Sequence, residues 1–213
     1  MTDRLSLYND ALLHCGERSL SSVSEARESR YLLDQVWNGN AVIRCLEDGQ
    51  WHFAMRTVML DYDPSIQPDF GYTRAFTKPE DWVITSAVGE EEYFRVPCTR
   101  SVDEKGYWYA DLDVLYVRYV SKDVQYGMDL NKWPQSFADF VGVHFASRII
   151  TKLSNSEKEW DKIFKLREKY KKEAKGRAAM AEPTSFPARG TWSRARTKGS
   201  RRGDGGNNGS LIG

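Results

Sequence analysis

The chain's 213 residues suffice for one good core, or one core with an inserted subdomain, and leave little room for two unrelated full-sized domains. Aromatic residues make up 13%, with seven Trp, which points to interfaces as well as core, and no stretch approaches the roughly eighteen uncharged apolar residues of a membrane helix. The net charge of +1 hides an asymmetry: from Pro187 onward Arg189, Arg194, Arg196, Lys198, Arg201 and Arg202 stand against Asp204 alone, a surplus of five that leaves the remaining chain four charges negative.

Leu5, Tyr8, Ala11, Leu12 and Cys15 recur at three- and four-residue steps, and Gly16 follows as a stop, so the spacing predicts a first helix. Ser22-Val23-Ser24-Glu25 has the form of a capping box and opens a second predicted helix. Its stripe of Ala26, Leu33, Val36, Trp37, Asn40 and Ile43 runs to a stop near Asp48-Gly49. At Trp51 the period changes to alternation, with Trp51, Phe53 and Met55 against His52, Ala54 and Arg56, so strands are expected from there. Further short runs at 72–76, 82–88, 93–98, 107–110 and 113–120 predict one small antiparallel sheet of up to six strands. In the last of them Leu112, Val114, Tyr116 and Val120 face one way and Leu115, Val117 and Tyr119 the other, a pattern that predicts cover on both faces.

Helical spacing returns after Trp133-Pro134 with Phe137, Phe140, Val141, His144, Phe145, Arg148, Ile149 and Leu153. Ser156-Glu157-Lys158-Glu159, a second capping box, opens a long helix with Trp160, Ile163, Phe164 and Tyr170 on one side. The fold class expected is α+β: a four-helix bundle formed by both ends of the chain, an inserted antiparallel β domain, and a C-terminal tail that is disordered or ordered by a partner. The corresponding segments are 1–49 for the first two helices, 50–130 for the β domain, 131–180 for the last two helices and 181–213 for the basic tail. Pro183, Pro187 and seven glycines from Gly190 onward leave the tail too little apolar area to offset its ordering entropy.

No catalytic constellation is legible. His14, His52 and His144 lie on separate predicted elements with no second ligand at metal spacing, so core or surface roles are favoured and no metal or cofactor is expected. Asp61 with Asp63, and Asp111 with Asp113, could pair carboxylates on a strand face, although turns collect Asp for local hydrogen-bonding reasons. Cys15, Cys45 and Cys98 are odd in number and lack a CxxC pair, which suits reduced structural thiols in a cytosolic chain. The opening residues also lack the apolar core of a signal peptide. In the tail, Phe186, Pro187 and Trp192 are interspersed with Arg189, Arg194 and Arg196. A purely electrostatic arm needs no such anchors, so the pattern favours docking in a protein groove over nonspecific phosphate binding.

Trp51-His52-Phe53-Ala54-Met55-Arg56, then Pro68-Asp69-Phe70-Gly71-Tyr72, then Lys78-Pro79-Glu80-Asp81-Trp82 together resemble the tail tubular protein A family, the head-to-tail adaptors or gatekeepers of short-tailed bacteriophages. The resemblance extends to Leu7-Tyr8-Asn9-Asp10-Ala11-Leu12, Gly16-Glu17-Arg18, Leu115-Tyr116-Val117-Arg118-Tyr119-Val120, Trp133-Pro134 and Gly190-Thr191-Trp192-Ser193-Arg194-Ala195-Arg196. Each motif is loose; the order of all of them is the specific feature. The resemblance implies a non-catalytic structural adaptor of the virion tail or neck, assembled in the host cytoplasm. It implies a ring of about twelve copies under the portal protein, with packaged DNA passing through it. The implied partners are the portal above, a tail nozzle protein of the tail tubular protein B kind below, and tail fibres, with no membrane contact. Portal-binding residues would then be Phe186, Arg189, Trp192, Arg194 and Arg196. The Gly-Arg-rich end after Lys198 has no counterpart in the family pattern. The rival readings are a nucleic-acid-binding module acting through the basic tail and, more remotely, a cell-wall enzyme, for which no carboxylate pair is nominated.

Overall fold

The structure, a computed structural model, describes residues 2–95, 97–104 and 106–181. The tail, with Phe186, Arg189, Trp192, Arg194 and Arg196, lies outside the described residues.

The first helix, α1 (Arg4–His14), starts where Asp3 accepts from the Ser6 amide at 2.7 Å and Ser6 Oγ accepts from the Asp3 amide at 3.0 Å. It ends in a Schellman pair, Glu17 N to Leu12 O and Gly16 N to Leu13 O. Gly16 takes the positive φ of 73° that this motif needs at its C′ position. Leu7, Tyr8, Ala11 and Leu12 are buried, and the Asn9 amide pins the following loop by bonding both the N–H and the C=O of Leu20.

The second predicted helix is two helices, and it begins later than its capping box. Glu25 accepts from the Ser21 amide and hydroxyl, and Ser22 Oγ accepts from the Ser24 amide, so the Ser-x-x-Glu segment closes a turn instead of a helix. The first helix of the pair, α2 (Glu28–Asn38), starts three residues beyond it. Asn40, at φ 61°, then breaks the run before α3 (Ala41–Glu47), because a left-handed residue cannot continue a right-handed helix. The break re-aims the apolar stripe. Val42, Cys45 and Leu46 become the buried set, while Ala26 and Asn40 are exposed.

Trp51 does not begin a strand. Its buried indole N–H donates to the carbonyls of Cys45 and Leu46 at 3.0 and 3.2 Å, closing the end of α3. The chain continues through a 3₁₀ turn at His52–Ala54, and extended structure starts only with β1 (Met55–Asp61). The remaining strands are β2 (Arg74–Thr77), β3 (Trp82–Gly89), β4 (Ser101–Glu104), β5 (Tyr107–Ala110) and β6 (Val114–Ser121). They form two three-stranded antiparallel sheets, ordered β1-β6-β3 and β2-β5-β4, where one sheet was expected. The described residues of 93–98, expected as a strand, form none; Pro97 makes an isolated bridge to Gly89 and the Cys98 amide donates to the Val88 carbonyl. The strand at 101–104 instead falls between the runs expected at 93–98 and 107–110. Its hairpin to β5 closes through a two-residue connection ending at Gly106, at φ 84°.

The double-sided burial expected of β6 is partial. Leu115, Val117, Tyr119 and Ser121 are buried along one face, whereas Val114 and Tyr116 are half-exposed and Arg118 is exposed on the other. The buried face meets Phe76, Trp108 and Ala110 across the small core between the sheets. Only Val120 turns its side chain into the main core, which it shares with the helices, so β6 links the two cores.

The helices that follow the sheets complete the main core. Gly127 comes so close to the Ser121 carbonyl that a Cβ would sit 2.2 Å from it, and the Gly127 carbonyl accepts from Trp133 Nε1 at 2.9 Å. Pro134 then fixes the approach to α4 (Gln135–Leu153). This helix is buried over most of its circumference, from Phe137 and Ala138 to Ile149 and Ile150, because α1, α2, α3 and the last helix all pack on it. Trp51, Phe53 and Trp133 all contact Phe137, with ring centroids within 4.9 Å. The last helix, α5 (Glu157–Ala181), buries only a narrow stripe at Ile163 and Ala174, and Phe164, expected inward, is exposed. At its start the Trp160 amide bonds the Ser156 carbonyl, and Glu159 accepts from Ser154 Oγ in place of the Ser156 amide. Among the described residues, five helices and two small antiparallel sheets make the fold α+β, and residues up to Ala181 form one compact unit.

Candidate interaction site

Three surface features gather the groups that the core leaves over. The largest is a groove of about 910 Å³ between α2–α3 on one side and α4–α5 on the other. Leu32, Val36, Ile43 and Phe164 supply apolar surface, and Arg44, Arg148, Lys152 and Arg167 supply four cations against the single carboxylate of Glu47. Arg44 spends part of its charge on Glu47 at 3.8 Å, and Arg167 stands 4.0 Å from Glu168. In the groove wall His144 is only 5% exposed, and among the described residues neither its Nδ1 nor the Nε of Arg167 has a hydrogen-bond partner. Burial, reinforced by Arg167, Arg148 and Arg44 and opposed by Asp48, pushes the His144 imidazole down to about 4, so at neutral pH it is uncharged. Helical spacing placed His144 on the core stripe, where it packs against Phe140 one turn earlier in α4.

The second feature is the loop after β3. Glu90 and Glu92 are exposed, Tyr93 is 66% exposed, and Phe94 holds a positive φ of 52° that turns the chain back. Glu90-Glu91-Glu92 is the only run of three consecutive acidic residues in the sequence. The third feature is a row of exposed lysines on α5, Lys158, Lys162, Lys165 and Lys169, around a shallow recess of about 510 Å³.

The carboxylate pairs nominated from the sequence are not brought together as sites. Asp63 accepts from the Ser65 amide, the Ser65 hydroxyl and Thr77 Oγ1, which holds its carboxyl below the usual range and closes a turn. Asp111 accepts from Thr73 and pairs with Arg100, while Asp113 pairs with Arg74 at 3.1 Å. Among the described residues no group of three or more His, Cys, Asp or Glu side chains could share a metal ion, and no helix is long and apolar enough to cross a membrane. His14 packs edge-on against Tyr170, and burial outweighs Asp10 and Asp139 to push its imidazole down. The three cysteines are free, with burial pushing the Cys15 thiol up to about 11.

Three of the motifs that carry the resemblance meet in the sheet. Arg56, from the first motif, donates to Asp81, from the third, and Asp81 also accepts from Tyr119 and Ser121 on β6. Lys78 Nζ sits 3.6 Å from the Trp82 ring and bonds Asp103 at 2.6 Å, which nearly buries an ammonium between an aromatic face and a carboxylate. Comparison of the sequence with protein-family models and with curated proteins finds no match.

Proposed function

We propose that this chain is a non-catalytic, ring-forming adaptor of the tail tubular protein A kind, which joins a phage portal to the tail nozzle and frames the channel through which DNA leaves. The observation that carries the reading is the ordered set of motifs together with where they fall. Arg56 and Asp81, from separate motifs, join in the sheet, and Trp51 and Trp133, likewise from separate motifs, converge on Phe137 in the helical core, so residues that carry the resemblance also hold the fold together. In this reading α1, α2, α4 and α5 are the four helices of a bundle made from both ends of the chain, with the two sheets inserted. The tail docks between portal subunits through Phe186, Arg189, Trp192, Arg194 and Arg196, with Trp192 as the desolvated anchor.

The test is attachment to the cognate portal ring. Truncation before Pro187 is expected to abolish co-sedimentation with the portal while thermal unfolding of the body stays unchanged. Trp192→Ala alone is expected to weaken attachment by about 2 kcal/mol or more, the usual size for an interface anchor. Normal attachment of Trp192→Ala, with failure of Arg201→Gln/Arg202→Gln, would sink the groove-anchor idea.

A second reading, nucleic-acid binding, draws support from the lysine row on α5, which adds to the cationic tail. It predicts affinity for duplex DNA that falls steeply with salt and depends on the number of cations, with little sensitivity to Trp192.

A further inference from the structure

We infer that the groove between α2–α3 and α4–α5 is the seat for the Glu90–Tyr93 loop of a second copy of this chain. The inference rests on the ring-forming reading and names the contact that would build the ring. The groove has the composition of a receptor for an acidic segment with an aromatic residue. Arg44, Arg148, Lys152 and Arg167 outnumber Glu47, and the half-exposed ring of Phe164 lies beside them. Among the described residues, His144 Nδ1 and Arg167 Nε are buried in the groove wall without hydrogen-bond partners, so the wall holds polar groups whose bonding is unmet. A volume of about 910 Å³ exceeds what a single small anion fills, and the apolar lining would be wasted on one.

The occupant follows from charge and position. The chain's own tail carries a surplus of five positive charges, the same sign as the groove, and is excluded as a ligand. The Glu90–Tyr93 loop has the opposite sign, combines two exposed carboxylates with an exposed phenol, and ends in the positive-φ turn at Phe94. It cannot reach the groove of its own copy. Gly89 pairs with Tyr116, near the start of β6, whereas β6 meets the helical core through Val120 at its other end. A contact between different patches on successive copies is heterologous, and repetition of such a contact generates a ring or an open filament.

Charge exchange tests this in the full chain. Glu90→Lys/Glu92→Lys reverses the loop, and Arg148→Glu/Lys152→Glu reverses the groove, all four residues being exposed. In sedimentation, wild type is expected to self-associate with rising concentration and each double variant alone to lose at least tenfold in association. An equimolar mixture of the two variants should regain it, because each then offers the charge the other lacks; recovery also shows that both are folded. A synthetic peptide of residues 88–95 is expected to bind wild type at least tenfold more tightly than the same peptide with Gln at its three Glu positions. When bound, it should raise the His144 imidazole pKa observed by NMR. Equal association of both variants and wild type, no recovery on mixing, or equal binding of the two peptides would each overturn the inference. So would saturable binding of duplex DNA in the groove together with no binding of the Glu peptide. Portal attachment through the tail is measured separately. Intact attachment with failed charge exchange sinks only this contact, and the reverse sinks only the adaptor reading.

Discussion

Arg56 Nη1 stands 2.9 Å from Asp81 Oδ2, bringing together the second residue of β1 and the residue that precedes β3, 25 positions apart in the chain. The Asp81 carboxylate also accepts from Tyr119 and Ser121 of β6, so one side chain ties three strands of the sheet at their helix-facing end. Burial alone would push Asp81 up, but hydrogen bonds from Ser121, Arg56 and Tyr119 outweigh it and hold the carboxyl below its usual 3.8.

Asp81→Asn should therefore destabilise the fold by about 1–3 kcal/mol in urea unfolding at neutral pH, the range for losing charge-assisted hydrogen bonds. A carboxylate with a lowered folded pKa stabilises above its unfolded pKa and loses that contribution as pH falls through the folded value. The wild type should lose stability on going below pH 3.8 by this route, and the Asn variant should show a shallower loss there.

His144 supplies a second pH window of separate origin. Its folded pKa of about 4 lies below the ordinary 6.5, so between those values the unfolded chain binds more protons than the folded one. Stability should fall as pH is lowered from 6.5 to 4, by on the order of 3 kcal/mol at most. The groups facing the ring are Arg167, Arg148 and Arg44, which disfavour its charged form, and Asp48, which favours it. His144→Leu should flatten the slope in that window, read by urea titrations at several pH values; an unchanged slope would count against a buried neutral imidazole.

Gly127→Ala is expected to cost about 1–3 kcal/mol, the range for overpacking a rigid site, since the added Cβ meets the Ser121 carbonyl at 2.2 Å and Leu46 Cδ1 at 2.9 Å. Because Gly127 also accepts from Trp133, Trp fluorescence should report the displacement. A melting curve superimposable on wild type would show that the backbone there yields freely.

The two faces of the β1-β6-β3 sheet should tolerate substitution differently. Val117 is fully buried between the sheets, and Val117→Asp is expected to cost about 3–5 kcal/mol as an unpaired buried charge. Met59, paired with Tyr116 on β1, is 61% exposed, and Met59→Thr should change stability by no more than about 0.5 kcal/mol. Circular dichroism melts of the two variants decide the point, and equal sensitivity would contradict the one-sided burial.

What the sequence by itself determined is what depends on neighbours in the chain. Helical spacing is a local property, so α1 with its Gly16 stop, the Pro134 start of α4 and the run of α5 from Glu157 were all legible, as were β5 and the limits of β3 to within a residue. Charge segregation is equally local, and it marked the tail without reference to any fold. Tertiary structure decided what depends on distant partners. Ser22-Val23-Ser24-Glu25 has the letters of a capping box, but Glu25 bonds Ser21 and the helix waits until Glu28. Trp51 alternates like a strand residue, yet its indole is spent on the carbonyls of Cys45 and Leu46. Alternation along β6 could not tell which face would be covered, because that follows from which strands pair and how six strands divide into two sheets. The groove at His144 was illegible for the same reason. An unpartnered nitrogen and four gathered cations exist only once α2 and α3, split at Asn40, pack against α4 and α5, and no local period records that contact.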